Sequence, residues 1–141
     1  MRLITGLFAL VYVVARGPHL ASYAHFLPGQ FHPVGVVALL QAPAPPGITY
    51  ATLALCIVSG VAFVMGFRYR LSGPLFALTF LWLTTYRCSW GMIFHQDNLV
   101  ATHLLILAVA PAADAWSWDA QGRRVPGREA RYGWPVRAFT W

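Results

Sequence analysis

Residues Ile48 to Phe67, ITYATLALCIVSGVAFVMGF, run for twenty positions without a charged side chain. At about 1.5 Å per residue, a helix of that length covers roughly 30 Å, the thickness of a bilayer's hydrocarbon core. This run predicts a membrane-crossing helix, and the rest of the chain is read outward from it. On its C-terminal side Arg68 and Arg70 close the run. Ser72, Gly73 and Pro74 then suggest a turn into a new helix, since proline is tolerated in a first helical turn. So short a connection predicts a tight helical hairpin. The next apolar block runs from Leu75 to about Tyr86 and meets Arg87, Cys88 to Phe94 is mixed and aromatic, and a further block runs from about Asn98 to Ala110.

On the N-terminal side, Leu3 to Ala15 is apolar but short for a span, and continuation towards Leu20 would lengthen it. Arg16, Gly17 and Pro18 follow in place of a small-residue cleavage motif, so an uncleaved first helix is expected. From Gly17 to Gly47 six prolines interrupt the chain, which predicts a long loop with a short helix around Val34 to Leu40. The expected fold is therefore all-α and integral to a membrane, with about four transmembrane helices near residues 3–20, 48–67, 74–87 and 97–111 and a Pro-rich outer loop between the first and second. Residues 1–116 form the membrane domain, and 117–141 read as a basic cytoplasmic tail or the start of a further helix.

Composition agrees. Of the 141 residues 58% are hydrophobic and only 10% charged, against roughly 25% charged in an ordinary soluble domain. The formal charge of +6 comes entirely from arginine on the basic side, with no lysine. A nucleic-acid reader gathers its charge on an exposed face, whereas these arginines sit mostly at the ends of apolar blocks, so nucleic acid is not an expected partner. With four spans, Arg2, Arg68, Arg70, Arg123, Arg124, Arg128, Arg131 and Arg137 fall on one side and only Arg16 and Arg87 on the other. Positive charge stays cytoplasmic, so both ends of the chain are expected there and the Pro-rich loop outside. Cys56 and Cys88 form no CxxC pair and no metal-type cluster.

Ionisable groups near a span cost several kcal/mol unless paired or hydrated, which makes them functional candidates. They concentrate between Arg87 and His103. If His95 begins a helix, at about 100° per residue Asn98 lies roughly 60° to one side, Thr102 about 20° away and His103 about 80° to the other. One polar stripe on an apolar helix results. It suits a general base, a proton relay or a bound head group, roles that imidazole side chains commonly fill, but polar side chains also serve as glue between membrane helices. Arg87 either pairs with Asp97, which is favoured, or binds an anionic group. Ala62 and Gly66 have the small-xxx-small spacing of a close helix contact. Trp116 and Trp118, flanked by Asp114 and Asp119, read as an interface anchor. His19, His25 and His32 lie in the loop without ligand-like clustering, so no metal site is expected. Haem is disfavoured, because His95 and His103 sit two turns apart on one helix and cannot ligate the same iron.

The run Thr85 to Leu99, TYRCSWGMIFHQDNL, followed by His103 and by Pro111 to Ala115, PAADA, resembles the HTTM (horizontally transferred transmembrane) family, which includes the membrane domain of vitamin K-dependent gamma-carboxylase and many bacterial proteins. The resemblance is weaker over the arginine hairpin and the outer loop, and corresponds to the family's N-terminal half. It implies a multi-pass protein of a bacterial inner membrane. It also implies a quinone as ligand, with His95, Asn98 and His103 lining its pocket and Arg87, Asp97 and Trp90 beside it. The carboxylases start their reaction with a lysine on a later helix, and this chain has none. The expected function is thus a small HTTM-like membrane protein binding a quinone or other amphipathic ligand without autonomous carboxylase activity. The alternatives are a non-catalytic accessory subunit packed against other membrane chains, and the N-terminal half of a split carboxylase-like enzyme.

Overall fold

The computed structural model describes residues 1–110 and residue 137. Residues 1–110 hold five α-helices in order: α1 (Arg2–Ala15), α2 (Gly17–Ser22), α3 (Pro46–Met65), α4 (Tyr69–Cys88) and α5 (His95–Val109). Three 3₁₀ turns, Tyr23–His25, Pro28–Gln30 and Gly35–Leu39, lie between α2 and α3, the last where a short helix is expected. There is no strand among the described residues, so the all-α class holds. The expected tail at 117–141, including its interface tryptophan Trp118, lies outside the described residues apart from Arg137, as does Trp116.

Among the described residues one helix, α3, is by itself long and apolar enough to cross a membrane. The pair Arg2–Ala15 and Gly17–His25 would make a second span if taken together, though it bends by 56° at Arg16. The expected first helix, 3–20, is therefore two helices with a break, and Pro18, which has no N–H to give, sits in the first turn of the second.

The largest departure is the start of α4. The turn expected at Ser72 to Pro74 is helical, and α4 begins at Tyr69, with Pro74 inside it. The reversal happens earlier, at Gly66 to Arg68. Gly66 ends α3 with φ +68°, while its N–H donates to the Phe63 carbonyl (3.0 Å) and that of Phe67 to the Ala62 carbonyl (2.9 Å). This is the Schellman arrangement, and it needs a left-handed residue at that point. Gly66 is thus a helix cap. Pro74 falls near enough to the helix start that only the carbonyl of Arg70 loses its donor. Meanwhile the Ser72 hydroxyl donates back to the Phe67 carbonyl at 3.0 Å.

α3 and α4 pack as an antiparallel hairpin, with α1 against α3 and α5 against α4. The core is aromatic: Phe63 contacts Phe76 and Tyr69 with ring centroids 5.4 Å apart in each case, and Phe76 meets Phe80 at 6.2 Å. Small residues make this possible. A Cβ on Gly6 would lie 2.6 Å from the Phe63 ring, and one on Gly60 would lie 2.8 Å from the Phe76 ring. Glycines on α1 and α3 therefore make room for the rings of the neighbouring helices. At the end carrying the α3–α4 turn, the Tyr69 hydroxyl donates to the Leu107 carbonyl of α5, and the Arg2 guanidinium lies 5.9 Å from the Tyr69 ring. At the opposite end the C-terminus of α1, the C-terminus of α4 and the N-terminus of α5 converge.

Candidate functional site

At that convergence sits a buried cluster of one acid, one base and one phenol. Arg87 stands in the last turn of α4 and Asp97 in the first turn of α5. Each charge lies at the helix end whose dipole favours it. Arg87 Nη1 donates to Asp97 Oδ2 at 2.8 Å and to the Tyr12 hydroxyl oxygen at 2.5 Å. The Tyr12 hydroxyl donates in turn to Asp97 Oδ1. The ring closes on itself and joins α1, α4 and α5. Arg87 is 4% exposed and Asp97 3%, so solvent screens the pair little. The Phe94 ring covers the guanidinium, its centroid 3.4 Å from Cζ, and Arg16 lies 5.0 Å from the face of Tyr12.

A groove of about 330 Å³ opens beside this cluster, lined by Phe8, Tyr12, Phe80, Gln96, Asp97, Leu99 and Val100. Its polar end is formed by Tyr12, Asp97 and Gln96, and its walls are aliphatic or aromatic. Phe8 on α1 and Leu99 on α5 are both exposed, so the groove opens sideways, between helices. Such a space accepts a flat or tailed apolar molecule and offers hydrogen-bonding groups at one end.

The expected pairing of Arg87 with Asp97 is present. The expected stripe of His95, Asn98 and His103 is on one helix, but that helix turns its other side inward. α5 buries Asp97, Ala101, Leu104 and Leu107. His95 and Asn98 are exposed, and His103 is half-buried with its Nδ1 2.7 Å from the Leu99 carbonyl. Thr102 is exposed and donates to the Asn98 carbonyl at 2.8 Å. None of the three stripe residues lines the groove; Gln96 and Asp97, which lie between His95 and Asn98, do. Trp90 sits apart in an aromatic cluster, 5.1 Å from Phe31, 5.4 Å from Phe26 and 5.9 Å from Tyr86 by ring centroids.

The loop histidines serve the loop. His19 Nε2 and the Tyr23 hydroxyl share a hydrogen bond at 3.0 Å, and His25 Nε2 and the Tyr50 hydroxyl share one at 2.8 Å. The backbone N–H of His32 donates to the Ser89 carbonyl at 2.8 Å. Tyr12 and Gln96 are the polar groove residues that sequence reasoning does not single out. For Tyr12 the available signal is a lone phenol one turn before Arg16 in the otherwise aliphatic run Ala9 to Ala15. Phe8, Phe80 and Val100 carry no such signal, because apolar residues on three separate helices look like core or lipid-facing positions until the helices are assembled.

Comparison with family models, with curated proteins and with solved structures finds no match to this chain.

Proposed function

We propose that the chain is an HTTM-like multi-pass membrane domain that holds an amphipathic ligand of quinone type in the groove between α1, α4 and α5, without completing carboxylase chemistry by itself. The observation that carries this reading is the groove: polar at Tyr12, Asp97 and Gln96, apolar elsewhere, with exposed Phe8 and Leu99 at its rims.

The membrane part rests on the outer surface of the bundle. Every long helix exposes large apolar side chains: Ile4, Leu7 and Val11 on α1, Leu55, Val58 and Val61 on α3, Leu71, Leu75 and Leu78 on α4, Leu99, Leu105 and Val109 on α5. Contiguous apolar surface on all sides is what lipid favours and water does not. The hydroxyls follow the same logic. Ser59, Thr79, Thr84, Thr85 and Thr102 each donate to a carbonyl three or four residues back, so no water is needed to satisfy them. In this reading α1 with α2, α3, α4 and α5 are four spans. Arg2, Arg68 and Arg70 mark the cytoplasmic side of what the resemblance to HTTM makes a bacterial inner membrane.

Ligand entry is then lateral, from the lipid, with the head group towards Asp97. Photoaffinity labelling of the protein in nanodiscs with a tailed azidoquinone tests the assignment. Adducts are expected on Phe8, Leu99 or Val100, and labelling confined to α3 would overturn it.

A second reading is favoured by one observation: His95 and Asn98 are exposed on a helix whose exposed neighbours Leu99, Leu105 and Val109 are apolar. A polar stripe facing lipid is costly, so a partner chain with matching polar groups would cover it, as in an accessory membrane subunit. A photocrosslinker at Asn98 distinguishes the two, giving one discrete protein adduct in native membranes for a subunit and lipid adducts alone otherwise.

A further inference from the structure

The outer segments of the chain hold Pro, Gly, His and Gln as loops do, but they lack formal charge. Between Arg16 and Arg68 the sequence contains no Asp, Glu, Lys or Arg, and between Arg87 and Asp97 it again contains none. A loop kept in water is normally polar, because apolar side chains there lose the benefit of burial. Here the tips are the opposite. Leu27 is 71% exposed, Leu39 88%, Met92 64% and Ile93 60%.

These four residues belong to one body. The segment 26–40 is bound to the segment 89–94 through the His32 N–H to the Ser89 carbonyl (2.8 Å), the Val34 N–H to the Ser89 hydroxyl (3.2 Å), and the packing of Phe26 and Phe31 on Trp90. Part of its backbone is also satisfied internally. The N–H groups of Gln30, Phe31, Val37 and Leu40 are spent within the 3₁₀ turns on the carbonyls of Leu27, Pro28, Val34 and Val37. Pro28, Pro33, Pro43, Pro45 and Pro46 have no N–H to satisfy.

Helix length supplies an independent reason. α1 has 14 residues and α5 has 15, so at 1.5 Å each they reach roughly 21 and 22 Å, short of a hydrocarbon core of about 30 Å. α1 stops where the outer segments begin, bending by 56° into α2, and α5 starts there, preceded by Gly91 to Phe94. The depth that these helices leave uncovered falls where the charge-free segments lie.

We infer that the outer segments, residues 17–45 and 89–94, form a collar seated in the outer leaflet of the bilayer, with Leu27, Leu39, Met92 and Ile93 among the acyl chains and the exposed Tyr50 at headgroup depth. Aromatic rings with a polar handle are suited to that depth. The inference rests on the multi-pass reading and adds to it that the Pro-rich loop lies in lipid rather than in water.

The test uses spin labels on single cysteines introduced as Leu27→Cys, Leu39→Cys, Met92→Cys and Ile93→Cys, in protein reconstituted into phosphatidylethanolamine and phosphatidylglycerol vesicles. All four are exposed, so labelling disturbs no core, and the buried native Cys56 and Cys88 are measured as background in the unsubstituted protein. Accessibility to oxygen, which concentrates in lipid, is compared with that to a water-soluble nickel chelate. The collar predicts oxygen-dominated relaxation at the four sites, matching Val58→Cys on the exposed face of α3 and contrasting with Arg70→Cys. Nickel-dominated relaxation at the four sites, with Val58→Cys still in lipid, overturns the collar alone. Exclusion of both reagents from the four sites also overturns it, since protein then covers them. Nickel access at Val58→Cys overturns the membrane reading itself.

Discussion

Asp97→Ala should be among the most destabilising single changes in this bundle, and the double variant Arg87→Met/Asp97→Leu should recover most of the loss. Asp97 accepts the Arg87 bond on Oδ2 and the Tyr12 bond on Oδ1. Its removal leaves a guanidinium that is 4% exposed with Nη1 bonded only to a phenol that has itself lost its acceptor. Leaving one member of a buried ion pair costs about 3–5 kcal/mol, whereas replacing both members with apolar side chains of similar volume is often close to neutral. The assay is equilibrium unfolding in mixed micelles, followed by tryptophan fluorescence, for wild type, Asp97→Ala, and the closed cycle of Arg87→Met, Asp97→Leu and the double variant. The reasoning predicts a coupling free energy of more than about 2 kcal/mol between the two positions. It is refuted if each single variant lies within about 1 kcal/mol of wild type, or if the double variant is as unstable as the sum of the singles, since the pair then behaves as exposed charges do.

Tyr12→Phe removes the hydroxyl that links α1 to both charges but leaves the ion pair intact. It should cost about 1–3 kcal/mol, well short of Asp97→Ala in the same titration, because a buried carboxylate oxygen loses its donor. Gly66→Ala places a side chain at φ +68° and should cost about 1 kcal/mol, with the loss confined to the α3–α4 turn as read by faster hydrogen exchange at the Gly66 and Phe67 amides.

The hairpin was legible because Ile48 to Phe67 is free of charge for a full bilayer thickness, and the pairing of Arg87 with Asp97 because two opposite charges ten positions apart flank a short break. The position of the turn was not. Ser72, Gly73 and Pro74 have the composition of a turn, yet a proline in the second turn of a helix removes a single hydrogen bond, and Gly66 had already met the need for a left-handed residue. From the sequence Gly66 reads equally well as one member of a small-residue contact pair.

Periodicity placed His95, Asn98 and His103 on one side of α5 but carried no information about which way that side faces. Residues near 97, 101, 104 and 107 make an equally consistent inward face, and α5 is apolar enough on both sides that hydrophobicity does not choose. The choice is made by Asp97, which pairs with Arg87 of α4 and accepts from Tyr12 of α1. The groove was illegible for a related reason. It is assembled from α1, α4 and α5, and four of its seven lining residues, Phe8, Phe80, Leu99 and Val100, are apolar positions unremarkable in any one helix.

The most direct measurement of the central claim is the affinity of a tailed quinone for the protein in nanodiscs, compared between wild type, Val100→Trp and His95→Ala. Val100 lines the groove and is half-buried, so an indole there fills the space, while His95 is exposed and lines none of it. The account predicts that Val100→Trp abolishes saturable binding and that His95→Ala leaves it within about twofold, a difference below roughly 0.5 kcal/mol. Loss of binding in His95→Ala with retention in Val100→Trp would contradict it and move the ligand to the outward stripe of α5.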